Sequence, residues 1–331
     1  MHMIDSLVSP TVAGTMYGCS SIAMTYSVRR VRFENDSKKI PIMGVVGSFI
    51  FATQMVNFAI PGTGSSGHFD GAILSSVILG PYAGFLTMTG VLCIQCLLFA
   101  DGGILTLGCN IWNMAFYGCL LAFFLVWRPM TYKKISRLRI ILSSMLSCIL
   151  SLVLGAFSVT LETLFSGTTD LSFNLFLSSM LSIHLVIGII EGVITASILI
   201  FIYKIRPDLF YDNSSILHPK TKGILKKYVY IFLVFSIIIG GVLSLFASSN
   251  PDGLEWSVNK IIDKNSNITT RDKLYKNISS VQDKLSMFPD YNFRNSKDKV
   301  SASLSGIIGV FFTFFICSGI LYIFKFFKKR K

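Results

Sequence analysis

The positions of the basic residues constrain this chain more than any other feature of its sequence. All 30 lysines and arginines fall in five clusters, and long stretches of chain contain none. The clusters are 29–39, 128–139, 204–227, 260–299 and 325–331, and the cation-free stretches are 1–28, 40–127 and 140–203. Long apolar runs between short basic loops are typical of polytopic membrane proteins. The chain is therefore predicted to be integral to the lipid bilayer.

Composition excludes the other broad classes. The 331 residues are 52% hydrophobic and 14% charged, whereas a soluble protein carries about 25% charged residues. This deficit argues against an ordinary soluble enzyme and against a disordered chain. The net charge of +13 does not indicate a nucleic-acid partner, because the cations lie in loops between apolar segments.

The positive-inside rule predicts the orientation of the first two helices. The basic loop 29–39 should be cytoplasmic, so a first helix at about Pro10 to Val28 leaves the N-terminus outside. A second helix, at about Pro41 to Ile60, returns outward and delivers the glycine-rich loop Pro61 to Gly71. Charge alone thus places the N-terminus and this loop on the same outer face.

The remaining basic loops predict seven spans followed by two more. Three crossings are expected between Gly71 and Trp127, with breaks at Gly80-Pro81 and at Asp101-Gly102-Gly103. The first of these crossings is short and is predicted to be a half-helix packed inside protein. The later helices are expected at about 140–164, 177–203, 228–247 and 303–324.

The predicted fold class is therefore all-α integral membrane, with the N-terminus outside. Residues 1–205 are expected to form a seven-helix bundle, and 206–227 a cytoplasmic linker. Residues 228–331 are expected to form a two-helix module with a long extracytoplasmic loop. No cleavable signal peptide is evident before the first apolar run, so Met1 is expected to be the mature N-terminus.

Two histidines lie on the predicted outer face. An N-terminal His2 offers three nitrogens to one ion: the Met1 amine, its own amide and its imidazole. His68, in the loop GTGSSGHFDG, would complete a planar set of four nitrogens. Planar nitrogen coordination favours Ni(II) or Cu(II), with Co(II) also allowed, over tetrahedral Zn(II). The alternative is two unrelated surface histidines.

Four polar residues within apolar segments have two interpretations each. His184 and Glu191 lie in the seventh predicted helix, where buried ionisable groups are by default functional candidates. They could instead hold the bundle together by interhelical hydrogen bonds. Asn110 and Asn113 follow a helix-breaking Gly-Gly pair, where capping is the simpler explanation. No P-loop motif occurs, so the chain is not expected to hydrolyse ATP itself or to be an enzyme.

The motifs resemble those of the CbiM/NikM family, the substrate-specific components of energy-coupling factor transporters for cobalt and nickel. MHMIDSLVSP is similar to the N-terminal signature of that family, and QMVNFAIPGTGSSGH to its second. ADGGILTLGCNIWNMA and HLVIGIIEGVIT are similar to further signatures, in the same order. The segment PDGLE, Pro251 to Glu255, resembles the signature of the small accessory subunit (CbiN or NikN), here fused to the same chain.

The resemblance implies a metal site and a set of supporting residues. The metal would be held by the Met1 amine, His2 and His68. The residues expected to orient these ligands are Asp5, Asn57, Ser65 and Ser66. The chain departs from the family pattern at Ser6, where Gly is frequent, and at Asp70, where an apolar residue is frequent. Asp70 is expected either to contact the site or to add charge beside it.

The function implied by the resemblance is capture of Ni(II) or Co(II) as transported substrate, with no organic cofactor. The partners would be a transmembrane coupling subunit and two ATP-binding cassette ATPases in a bacterial or archaeal cytoplasmic membrane. The fused accessory module favours nickel, since it looks like the nickel-type fusions, and is expected to assist metal loading. Two alternatives are an autonomous metal channel or secondary carrier and a membrane metalloenzyme. The channel or carrier is expected to have rows of intramembrane acids, whereas only Glu191 is central to a helix. The metalloenzyme needs an open coordination position and a nearby acid or base, for which Asp70 is a candidate without other support.

Overall fold

The computed structural model describes residues 1–34, 39–169, 171–211, 222–262, 272–294 and 298–328. The first module contains α1 (Pro10–Glu34), α2 (Lys39–Gln54), β1 (Phe58–Ile60), β2 (Ser65–Gly67), α3 (Ala72–Leu79), α4 (Pro81–Phe99), α5 (Leu107–Thr131), α6 (Arg137–Ser166) and α7 (Phe173–Ile205). The second contains α8 (Lys222–Gly241), α9 (Gly253–Ile262), α10 (Asp272–Leu285) and α11 (Lys299–Lys328). Parts of the predicted linker (212–221) and of the predicted extracytoplasmic loop (263–271, 295–297) lie outside the described residues.

The predicted all-α membrane architecture is confirmed. Six helices of the described ranges are long and apolar enough to span a bilayer: α4, α5, α6, α7 and the segments Val229–Phe246 and Val300–Gly319 of the second module. The apolar part of α2 is shorter, Pro41–Gln54. Breaks occur where glycine and proline predicted them, since α4 begins at Pro81 directly after Gly80.

Helix α3 is the short element that the sequence predicted after Gly71. It has eight residues, a length of about 12 Å at 1.5 Å per residue. Seven of the eight are buried, against α2, α4 and α5. A helix this short cannot cross a bilayer by itself. It brings the loop that precedes it close to the middle helices of the bundle.

The second helix ends earlier than the sequence predicted. It ends at Gln54 rather than near Ile60, and Phe58–Ile60 instead pairs antiparallel with Ser65–Gly67. Gly62 and Gly64 have φ of 76° and 73°, which glycine adopts readily, so the connection between the strands can turn tightly. The resulting hairpin places His68 immediately after β2.

The second module packs on the first through α2. A Cβ added at Gly44 would lie 2.7 Å from the carbonyl oxygen of Phe314, and one at Gly47 would lie 2.8 Å from Cys317 Sγ. These glycines therefore let α11 approach α2 closely. Ser48 Oγ also donates a hydrogen bond to the carbonyl oxygen of Val310 at 2.9 Å. The segment that precedes α9 reaches the hairpin of the first module, where the Ser248 amide donates to the Asn57 carbonyl at 2.8 Å.

Candidate metal site

The first residues of the chain are fixed inside the bundle by α5. Met3 is fully buried, and its amide donates to Asn110 Oδ1 at 2.8 Å. Its carbonyl accepts from Thr106 Oγ1 at 2.6 Å and from Asn110 Nδ2 at 3.3 Å. Both main-chain groups of Met3 are thus satisfied by side chains. Asn110, for which capping was the simpler interpretation, instead binds the segment that carries Met1 and His2.

Asp5 anchors the same segment two residues later. Its Oδ1 accepts from the Thr106 amide at 3.2 Å, and the residue begins a short 3-10 turn, Asp5–Leu7. A side chain at Gly103 would clash with the Asp5 carboxylate. Burial raises the pKa of Asp5, although its hydrogen bonds to Thr106 and Leu105 oppose this. Asp5 therefore positions the N-terminal segment and does not contact an imidazole.

The Met1 amine and His68 are in direct contact. The amine nitrogen lies 3.0 Å from His68 Nε2. Because an ammonium can only donate, Nε2 carries the lone pair and Nδ1 carries the proton. Burial, the nearby N-terminal charge and His2 hold the pKa of His68 well below its usual value. The His68 imidazole is accordingly neutral, the form that binds metal.

The His2 ring lies beside that of His68, stacked with ring centroids 5.3 Å apart. Its Nε2 is 3.2 Å from Gln95 Oε1, while the Gln95 amide donates to Gln54 at 2.8 Å. Since its amide group is the donor to Gln54, Gln95 Oε1 accepts a hydrogen bond from His2 Nε2. Nδ1 lies 3.3 Å from Asp101 Oδ1. Burial lowers the pKa of His2, although Asp101 opposes this.

The loop that follows His68 is held by α7. Glu191 accepts from the Gly71 amide at 3.0 Å and from the Asp70 amide at 3.3 Å. Gln54 Nε2 donates to the Asp70 carbonyl at 2.8 Å. Burial, and then the Glu191 carboxylate, raise the pKa of Asp70 well above its usual value. The position of His68 therefore depends on a buried carboxylate that is about 120 residues further along the chain, in α7.

His184 does not pair with Glu191. Its Nδ1 donates to the Met180 carbonyl at 2.8 Å, within its own helix. The other nitrogen, Nε2, faces a small cavity and has no hydrogen-bond partner. His68 Nδ1 and Asp70 Oδ1 are likewise unpartnered, and both residues line the same cavity. Asn113 lies nearby, where it donates to Glu162 at 2.8 Å and approaches Met3 Sδ at 3.7 Å.

The PDGLE segment, residues 250–256, covers the hairpin. The Ser66 amide donates to the Pro251 carbonyl at 2.8 Å, and Ser66 Oγ donates to the Asn250 carbonyl at 2.8 Å. Ser65 Oγ contacts Pro251 O at 3.4 Å, and the Asn57 carbonyl accepts from Ser248 at 2.8 Å. The three residues expected to orient imidazoles instead bind the second module, because β2 presents its open edge to this segment.

One contact at this edge was not anticipated from the sequence. The Met1 amine also donates to Asp252 Oδ2 at 3.0 Å. Gln54 and Gln95 were missed as well, since a glutamine in an apolar helix carries no positional signal. For Asp252 a signal existed, because the residue belongs to the PDGLE motif quoted above.

The chemistry of the site depends on the main-chain amine. No group of three or more His, Cys, Asp or Glu side chains that could hold a metal ion occurs in the described part of the chain. The site instead combines the imidazoles of His2 and His68 with the Met1 amine. At metal–nitrogen distances of about 2.0 Å, two ligands at right angles are about 2.8 Å apart. The 3.0 Å between the amine and His68 Nε2 is close to that spacing.

The fold and this site define a multi-pass membrane protein with a buried, nitrogen-rich pocket at one end of its bundle. The family described as the cobalt uptake substrate-specific transmembrane region (CbiM) matches residues 2–209, and the PDGLE domain matches residues 226–326. The chain therefore belongs to the CbiM family and carries a fused PDGLE domain. It is a multi-pass membrane protein of metal-ion uptake.

Three similar proteins illustrate the relationship. A protein of Archaeoglobus fulgidus named for fused nickel transport (NikMN) is 36% identical over 65% of this chain and 70% of its own length. The cobalt transport protein CbiM of Thermosipho melanesiensis is 29% identical over 64% of this chain and 91% of its own. A crystal structure titled as a transition metal transporter superposes with a TM-score of 0.55 and 27% identity, covering 70% of this chain and 99% of that one.

Proposed function

We propose that this chain is the substrate-capture component of an energy-coupling factor transporter that imports Ni(II) or Co(II). The single observation that carries the proposal is the 3.0 Å contact between the Met1 amine and His68 Nε2. It joins the two parts of the sequence that were expected to share a metal. The relatives named for nickel and cobalt transport support the same substrates.

The ligands in this proposal are four nitrogens. They are the Met1 amine, the His2 amide, His2 Nδ1 and His68 Nε2. Nδ1 is the ring nitrogen close enough to the His2 backbone to close a chelate ring, and the hydrogen bond between Nε2 and Gln95 at 3.2 Å supports that tautomer. When the ion binds, the amine and the amide each release a proton to water.

Two groups of residues would support these ligands. Asp5, Asn110 and Asn113 fix the N-terminal segment, while Asp70 and Glu191 fix the loop of His68. His184 would assist from the cavity beneath, where Nε2 faces His68 and Asp70. Asn57, Ser65 and Ser66 would act by holding the PDGLE segment over the site. Such surrounding partners commonly change metal affinity by about 10–100-fold.

The proposed donor set favours nickel. A planar four-nitrogen site suits Ni(II) and Cu(II), admits Co(II), and is unfavourable for tetrahedral Zn(II); between nickel and copper, the names of the relatives favour nickel. A deprotonated amide also excludes the oxygen-preferring ions Mg²⁺ and Ca²⁺. The fused PDGLE domain supports the same choice, since the relative from Archaeoglobus fulgidus is named for fused nickel transport.

Energy would come from other subunits. The sequence has no P-loop motif, so ATP hydrolysis is assigned to two ATPase subunits. A membrane coupling subunit would transmit their motion to this bundle, turning the pocket inward for release. An autonomous channel or carrier is the alternative, and uptake in vesicles that contain this chain without ATPases would favour it.

The test is a titration of the purified full chain with Ni(II) and with Co(II). One version has the native N-terminus, a second has one extra residue before Met1, and a control has one extra residue after Lys331. We expect a yellow, square-planar Ni(II) spectrum for the native and control versions, lost on N-terminal extension. Equal binding by all three versions would remove the amine from the site and overturn the proposed ligand set.

A further inference from the structure

The Asp252 carboxylate divides its oxygens between two partners. Oδ1 accepts from the Glu255 amide at 2.8 Å, which makes Asp252 the N-cap of α9. Oδ2 accepts from the Met1 amine at 3.0 Å. Because the helix cap fixes the orientation of the carboxylate, the position of Oδ2 is set by the second module. The amine meets a carboxylate that is already in place.

The other residues of the motif seat Asp252 in this position. The Pro251 carbonyl is bound by the Ser66 amide at 2.8 Å. A Cβ added at Gly253 would lie 3.0 Å from His184 Cε1, so the backbone here approaches the imidazole as closely as a glycine permits. Trp256 Nε1 donates to the Thr63 carbonyl at 2.8 Å. Contacts on both sides of Asp252 therefore position the segment on the hairpin.

Asp252 lies between the amine and solvent. Its side chain is 19% exposed, whereas that of Met1 is 3% exposed. The amine has two neighbours at 3.0 Å, Asp252 Oδ2 and His68 Nε2. Both distances are close to the ~2.8 Å spacing of adjacent ligands around one transition-metal ion. The His2 ring nitrogens, in contrast, face Gln95 and Asp101.

We propose that Asp252 Oδ2 is the first protein ligand of the entering cation, acting with the Met1 amine and His68 before the His2 chelate closes. This inference rests on the proposed capture of Ni(II) or Co(II). The ion exchanges a water for the carboxylate oxygen, and the ammonium releases a proton to water as its nitrogen binds. The His2 amide then loses its proton to water, and the nitrogens of His2 replace the carboxylate. The metal keeps its oxidation state throughout.

A carboxylate is suited to this step for two reasons. Its charge raises the local concentration of a divalent cation at the mouth of a low-dielectric pocket. It also binds without first losing a proton, unlike the ammonium and the amide. The PDGLE domain would accordingly contribute a residue to the metal site and thereby speed its loading.

The experiment follows Ni(II) binding to the full chain by stopped-flow absorbance of the square-planar band. Asp252→Asn removes the charge but keeps an efficient helix cap. Asp252→Ser also keeps a cap, but its shorter side chain has no second oxygen to contact the Met1 amine. Asp283→Asn is the matched control, because Asp283 is exposed on α10 of the same module. We expect both Asp252 variants to bind at least 10-fold more slowly, the control to match wild type, and the final spectrum to be unchanged.

Three other outcomes would overturn the inference. Asp252→Asn could bind as fast as Asp283→Asn, while a titration still detects Ni(II); the proposed function would then stand alone. Trp256→Phe removes the hydrogen bond to Thr63 without changing charge. If it slowed binding as much as Asp252→Asn does, the effect would come from the position of the segment and not from the Asp252 carboxylate. Wild-type chain could bind neither Ni(II) nor Co(II), which would remove the proposed function and this inference together.

Discussion

The two segments that meet at the metal site are held in opposite ways. The N-terminal segment, residues 1–7, is bound from inside by side chains of the bundle, and Met3 in it is fully buried. The PDGLE segment is bound by main-chain pairing with Ser66, and its Asp252 side chain remains 19% exposed. The Met1 amine contacts His68 Nε2, which follows the hairpin, and Asp252 Oδ2 of the PDGLE segment, both at 3.0 Å.

This difference suggests two roles: the N-terminal segment holds the ion, and the PDGLE segment controls its entry. A buried main-chain group that loses its partner costs about 1–3 kcal/mol, and both main-chain groups of Met3 would lose theirs together. The N-terminal segment therefore leaves its position only at high cost. We expect the PDGLE segment, whose Asp252 is partly exposed, to separate from the hairpin more readily. The ligands that define the site lie in the fixed part, and the cover belongs to the separable module.

The largest effect is expected from His68→Ala, which removes a proposed ligand without touching either anchor. Substituting residues that surround a metal site costs about 10–100-fold in affinity, so loss of a ligand should exceed about 100-fold. Isothermal titration with Ni(II) measures this, and thermal unfolding should be unchanged. Affinity within tenfold of wild type would exclude His68 from the ligand set.

Asn110→Ala tests the fixed part of the comparison. It leaves the buried Met3 amide without its acceptor at 2.8 Å, and should destabilise the fold by about 1–3 kcal/mol. Ni(II) affinity should fall with it, because Met1 and His2 lose their anchor. Asn174→Ala removes an amide from an exposed position of α7 and serves as the control. If unfolding of the two variants coincides, the N-terminal segment is not held by α5 as described.

The sequence predicted the architecture well because membrane topology is written in the positions of charge and of glycine and proline. The cation-free stretches contain most of the apolar helices, and Gly80-Pro81 separates α3 from α4. The first helix extends further than predicted, since α1 continues past Val28 through the basic residues to Glu34. The end of the second helix was predicted wrongly. The run up to Ile60 is apolar enough for a helix, but Ser65 and Ser66 need partners, and pairing with Phe58–Ile60 supplies them.

The site was less accessible from sequence. Motif resemblance indicated Met1, His2 and His68, and topology placed them on one face. The sequence could not reveal that the Met1 amine contacts Asp252, a residue 251 positions away. The spacing of the two modules along the chain does not determine how they pack together. The acceptor role of Gln95 was hidden for a similar reason, since its partner His2 lies in a different segment.

Gly253→Ala tests the separable part of the comparison. The added Cβ would lie 3.0 Å from His184 Cε1 and 3.2 Å from Ile187 Cδ1, so the PDGLE segment should be displaced from the site. We expect Ni(II) affinity to fall by about tenfold, equal to 1.4 kcal/mol, and hydrogen exchange of residues 250–256 to rise. Gly319→Ala is the control, because its Cβ would have no neighbour within 4 Å. Equal exchange in both variants would show that the segment does not rest on His184.

The smallest effect is expected from Glu191→Gln, which tests whether the His68 loop and the PDGLE segment are held independently of each other. The side-chain oxygen of glutamine can still accept from the Gly71 amide. Its NH₂ group would face the Asp70 amide, which in the native chain donates to a Glu191 carboxylate oxygen at 3.3 Å. Hydrogen bonds to charged groups exceed neutral ones by about 1 kcal/mol, so Ni(II) affinity should fall about fivefold, measured by titration at constant pH. The exchange of residues 250–256 should not change, because Glu191 holds the His68 loop and not the cover. A loss as large as that of His68→Ala would instead assign Glu191 a direct contact with the ion.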